Sequence, residues 1–123
     1  VGTINIMISL NISLPSAIMT RAIITITEGK TAALQDLGIA DVNNGLPATG
    51  TGTDGITLIT DPDAPRYTDA GTFSVLGSLL ASAAYETVRE CLELYDKPWN
   101  RDDSLATPPA VDLSRLRNKE CGH

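Results

Sequence analysis

The chain has 123 residues, 9 Lys+Arg against 15 Asp+Glu, a net charge of −6 and 42% hydrophobic residues. One ordinary domain is the expectation, and the acidic balance argues against a nucleic-acid binder, which needs basic groups to displace counterions from phosphate. Two cysteines and a single histidine at the C-terminus support neither a disulfide framework, a clustered metal site nor a conventional Ser-His or Cys-His mechanism, so no metal is expected.

Ile4, Ile6, Ile8 and Leu10 alternate with Asn5, Met7, Ser9 and Asn11, the period of a strand with one buried face. Asn5, Ser9, Asn11 and Ser13 also interrupt the apolar run, so it reads as neither a membrane span nor a signal core, and cytoplasm is the default location. A strand this close to Val1 suggests a fragment or a shortened reading frame. Pro15-Ser16 then opens a helix that runs to Leu37 and stops at Gly38, with proline at its start and glycine just past its end. Its apolar positions are Ile18, Ala22, Ile23, Ile26, Ala33, Leu34 and Leu37. The β-branched run Ile23–Thr27 opposes a helix, and only tertiary packing settles it.

Asp41–Gly55 reads as a loop, Ile56–Thr60 as a second strand, and Asp61–Pro65 as a turn. Arg66–Gly71 either adds a short strand or crosses the surface. Ser74 is the expected N-cap of a helix through Tyr95, whose stripe is Leu76, Leu79, Leu80, Ala83, Ala84, Val88, Cys91, Leu92 and Tyr95. Residues 1–96 therefore form the domain, and residues 97–123 a tail rich in proline and charge, with a short helix over Asp112–Asn118. Cys91 belongs to the core stripe, and Cys121 with His123 makes a poor metal pair. The fold class is α/β: two long helices on a small sheet, with further strands expected from an upstream portion or from a homo-oligomer.

Chemistry is concentrated in two places. Thr49-Gly50-Thr51-Gly52-Thr53-Asp54 interleaves glycines, which let backbone N–H groups approach a ligand, with short hydroxyls that bond directionally. It lacks the Gly-Lys-Ser/Thr of a phosphate loop and opens a strand. The alternative is a flexible connection. Glu28 and Lys30 flank Gly29 in the first helix, and residues two apart on a helix do not face each other. They are either a solvated face or two members of a site to which Asp54 also belongs.

Gly2-Thr3-Ile4-Asn5-Ile6, Thr27-Glu28-Gly29-Lys30-Thr31, Ala48 to Asp54, Tyr67-Thr68-Asp69-Ala70-Gly71-Thr72 and Leu76-Gly77 follow one another in order. Together they resemble the C-terminal portion of the adenosylcobinamide amidohydrolase (CbiZ) family, over about Gly2 to Leu94. The resemblance implies a hydrolase that cuts the amide joining aminopropanol to the corrin ring of adenosylcobinamide, giving adenosylcobyric acid for cobalamin synthesis. The corrinoid is then substrate, no cofactor is implied, and neither membrane nor nucleic acid is a partner. Two positions depart from the family's pattern: Phe73 stands where members often carry histidine, and Ser78 where they carry glutamate.

Amide hydrolysis needs a base, an oxyanion donor and a proton for the leaving amine. The available catalytic groups are Glu28 or Asp54 as base and Lys30 as electrostatic stabiliser, with the Gly50–Gly52 backbone at the oxyanion. Asn5, Thr49, Gly50, Thr51, Gly52 and Thr53 are the candidate substrate-binding set. The alternatives are a non-catalytic corrinoid-binding remnant and, more weakly, a nucleotide-binding module on the glycine loop.

Overall fold

A computed structural model describes residues 2–95 of the chain. The elements run β1 (Asn5–Ser9), α1 (Ser16–Asp36), β2 (Gly55–Ile59) and α2 (Val75–Tyr95). β1 and β2 pair in parallel, with Asn5 opposite Gly55 and Ser9 opposite Ile59. A parallel pair needs a crossover, and α1 with the following loop supplies it. Of the two readings of Arg66–Gly71, the short strand does not form and the segment crosses as a connection. Arg66 makes one isolated bridge to Ser13, because Pro65 and the Asp61 turn bring the chain back only at that point. The expected tail helix and the Cys121–His123 pair lie outside the described residues.

Alternation in β1 sorts its side chains as expected: Ile6 and Ile8 are buried, whereas Asn5, Met7 and Ser9 are exposed. The buried pair meets Ala22, Ile26 and Ala33 of α1 and Leu80, Ala84 and Val88 of α2 in one core. β2 begins one residue earlier than its side chains suggest, since the Gly55 N–H donates to the Ile4 carbonyl at 3.1 Å. The opposite face of the sheet carries Met7 at 73% exposure and Ile59 at 45%.

α1 ends as glycine chemistry dictates. Gly38 has φ +68°, its N–H bonds the Gln35 carbonyl, and the Ile39 N–H bonds that of Leu34. That is the Schellman pair of bonds. The β-branched run stays helical because its environment repays the rotamer loss: Ile26 and Thr25 are wholly buried. The Thr25 hydroxyl donates to the Ala70 carbonyl at 2.7 Å.

One expectation for α1 is corrected. Ile23 is 40% exposed, and Thr25, Gly29 and Lys30 share the buried face with Ala22, Ile26, Ala33 and Leu34. The reason is the neighbouring helix. A Cβ on Gly29 would lie 2.3 Å from the Ala81 carbonyl oxygen of α2, so the two backbones approach where the side chain is absent. α2 starts at its expected cap, with the Gly77 N–H donating to the Ser74 hydroxyl at 3.0 Å. Its stripe is buried at Leu76, Leu80, Ala83, Ala84 and Val88, whereas Leu79, Cys91 and Leu92 are half-buried and Tyr95 is exposed. Among the described residues, no helix is long and apolar enough to cross a membrane.

Candidate functional site

Lys30 lies one turn after Ile26 and one turn before Leu34, so the helix period aims its side chain inward. The residue is 8% exposed. A buried ammonium requires a partner. Asp54 supplies it: Lys30 Nζ donates to Asp54 Oδ2 at 2.8 Å across 24 residues of sequence. Glu28, two positions earlier, is exposed on a different face of α1, so the solvated reading holds for Glu28 and fails for Lys30.

Asp54 accepts from three directions besides. The Thr51 N–H donates to Oδ2 at 2.8 Å, the Thr51 hydroxyl to Oδ1 at 2.5 Å, and the Ile4 N–H to Oδ1 at 2.9 Å. Each oxygen therefore receives two bonds. Burial by itself pushes this carboxyl up, but the Lys30 ammonium, the Thr51 hydroxyl and the two backbone N–H groups outweigh it. They hold the group well below the usual carboxylate range. Such a carboxylate stays ionised and has no lone pair to spare. It is a clamp on β1, α1 and the loop at once, and a poor proton acceptor.

Gly50 makes the clamp possible. A Cβ there would sit 2.5 Å from Asp54 Oδ2 and 2.7 Å from Lys30 Nζ, so the loop backbone rests directly on the ion pair. Thr31, the next residue of α1, donates its hydroxyl to the Thr49 carbonyl at 3.2 Å. The Thr53 N–H donates to the Thr51 hydroxyl oxygen, the Thr3 and Thr53 hydroxyls are bonded to each other, and the Asn5 side chain lies against Gly55. Lys30, Asp54, Asn5 and the residues from Thr49 to Thr53 thus form one neighbourhood. Among the described residues, the N–H groups of Gly50 and Gly52 meet no acceptor.

Glu28 does not join that hydrogen-bonded cluster. It lines a groove of about 390 Å³ on the outer face of α1, with Ile23, Ile24, Thr27, Thr31, Ala32 and Gln35. Thr31 belongs both to this groove and to the loop's anchorage, so groove and loop are contiguous. Four participants are backbone groups with no side-chain signature in the sequence: the N–H groups of Ile4, Thr51 and Thr53 and the Thr49 carbonyl. Thr31 was detectable as the residue following Lys30 in a polar run.

Other nucleophiles are poorly placed. Cys91 is half-buried on α2, and its thiol is pushed up by burial and by the charge of Glu90. Among the described residues, no group of three or more His, Cys, Asp and Glu side chains is arranged to hold a metal ion. Phe73 projects fully into solvent. The arrangement presents a glycine loop with unused backbone donors, a compensated ammonium beneath it, and a carboxylate groove alongside.

A family model described as adenosylcobinamide amidohydrolase matches residues 1–99. An uncharacterized protein of Methanocaldococcus jannaschii is 41% identical over 99 residues, covering 79% of this chain and 38% of that protein. The chain thus spans well under half the length of this relative. No solved structure matches it.

Proposed function

The chain belongs to the adenosylcobinamide amidohydrolase family, and we propose that its glycine-threonine loop serves hydrolysis of the amide between aminopropanol and the corrin ring. Water adds to the amide carbon, the carbonyl oxygen becomes an oxyanion, and the C–N bond breaks as the amine takes a proton. The products are adenosylcobyric acid and aminopropanol. The observation that carries this reading is the family match over residues 1–99 coinciding with a loop whose Thr51 N–H is held on Asp54 and whose Gly50 and Gly52 N–H groups, among the described residues, meet no acceptor. Fixed backbone donors stabilise an oxyanion without reorganising.

The two candidate carboxylates separate by environment. Asp54 has every acceptor position filled, so the base assigned here is Glu28, exposed in the groove beside Thr31. Lys30 stands beneath the loop, where its charge, offset by Asp54, contributes a dipole and not a full cation.

The test is release of aminopropanol from adenosylcobinamide, run on the longest continuous reading frame that contains these residues. Glu28→Gln keeps the shape and removes the base, and turnover is expected to fall about 10²–10⁴-fold. Turnover equal to wild type would remove Glu28 from the chemistry. A second reading, binding without hydrolysis, is favoured by Phe73 in place of the histidine that the family often carries. A corrinoid absorbance change on mixing, with no product formed, would select it.

A further inference from the structure

We propose that Asp54 is a positioning residue, one that sets the shape of the glycine-threonine loop while taking no proton itself. This rests on the amidohydrolase reading for its kinetic test, though not for its structural one.

Four donors from three separate segments converge on one carboxylate: the Ile4 N–H ahead of β1, Lys30 in the middle of α1, and the N–H and hydroxyl of Thr51 within the loop. No neutral side chain of the same size satisfies all four, because an amide offers one acceptor oxygen and turns donors toward the rest. Among the described residues and apart from Asp54, Thr49 is tied by Thr31, and Thr53 by Thr51 and Thr3. Gly50 lies against both members of the ion pair. A change in the carboxylate therefore moves Gly50, and with it the donors on either side of Thr51. Lys30 is the charged group facing Asp54 among the described residues. Its ammonium both neutralises the carboxylate and supports Gly50.

A loop held this way positions an oxyanion site to a fraction of an ångström, which is the scale on which catalytic geometry is lost. Base and positioning group give different kinetic signatures. Removing a base abolishes the acid limb of the pH–rate profile, whereas removing a positioning group lowers kcat and leaves the limbs where they were.

The experiment compares wild type with Asp54→Asn and Thr51→Val. The second variant deletes the hydroxyl's bond to Oδ1 and its acceptance from the Thr53 N–H but keeps the charge pair, so it remains informative if the first does not fold. Three quantities are read: kcat and KM for adenosylcobinamide, the pH dependence of kcat/KM, and amide hydrogen exchange across Ala48–Ile56. The expected result is a kcat lower by about 10–100-fold, KM within about threefold, unmoved pH limbs, and faster exchange in that segment alone. Loss of the acid limb in Asp54→Asn would overturn the inference by making Asp54 the base. Unchanged kcat per folded molecule would overturn it by making the clamp purely structural. If wild type shows no turnover, the amidohydrolase reading fails separately. Exchange across Ala48–Ile56 still decides the positioning role, and wild-type exchange in Asp54→Asn would end it.

Discussion

Asp54 and Lys30 show how one residue pair can carry two consequences, for stability and for chemistry. Their side chains are 12% and 11% exposed, so solvent screening is modest and loss of either partner strands a mostly buried charge. Removing one is expected to cost about 2–3 kcal/mol. The pH dependence follows from the direction of the Asp54 shift. Its folded form is held below the usual carboxylate range, so between the folded and the unfolded pKa the unfolded chain binds more protons, and stability rises with pH. The contribution is complete above the ordinary carboxylate value of about 4 and is lost as pH falls through the depressed folded value. Denaturant melts between pH 6 and pH 2 should therefore show wild type losing stability on acidification. Asp54→Asn should start lower at pH 6 and lose less over the same range. Equal acid slopes in the two proteins would contradict the clamp.

At the scale of elements, the contact between α1 and α2 is set by small residues. Gly29 faces the Ala81 carbonyl at a distance that leaves no room for a methyl group. In an exposed helix Gly→Ala gains about 1 kcal/mol. Here overpacking reverses the sign, and Gly29→Ala should destabilise by about 1–3 kcal/mol, read as a lower Tm. A raised Tm would show that the helices are farther apart than described. This contact also explains what was legible in the sequence. β1 and α2 followed from period-two alternation and from the Ser74 cap, because those signals are local. The inner face of α1 departs from the sequence expectation at Ile23, since hydrophobicity favours isoleucine where close packing requires glycine. Lys30 stands open in the sequence between a solvated face and a site, because a charged residue gives no hydrophobic signal even at the spacing of Ile26 and Leu34. Its pairing with Asp54 followed only as an expectation that loop and helix share a site, because the crossover that joins them is a tertiary fact. The Ile4 N–H was invisible, being backbone.

Among the described residues, two helices cover one face of a two-stranded parallel sheet, whereas parallel sheets are ordinarily covered on both. Met7 and Ile59 on the other face, with Ile23 and Ile24 on the outer side of α1, are all at least 40% exposed. The chain on its own is expected to self-associate, and Met7→Lys to shift it toward monomer. Sedimentation velocity across a tenfold concentration range reads this directly, and a cooperative monomer throughout would contradict it. Under the proposed function, the amide is cut at the loop resting on the Lys30–Asp54 pair. Gly50→Ala is the sharpest probe, because a methyl there pushes against both charged groups while every polar side chain keeps its chemical identity. With circular dichroism confirming the fold, aminopropanol release from adenosylcobinamide should fall at least about 100-fold relative to wild type. A folded Gly50→Ala protein that releases aminopropanol at the wild-type rate would contradict the claim.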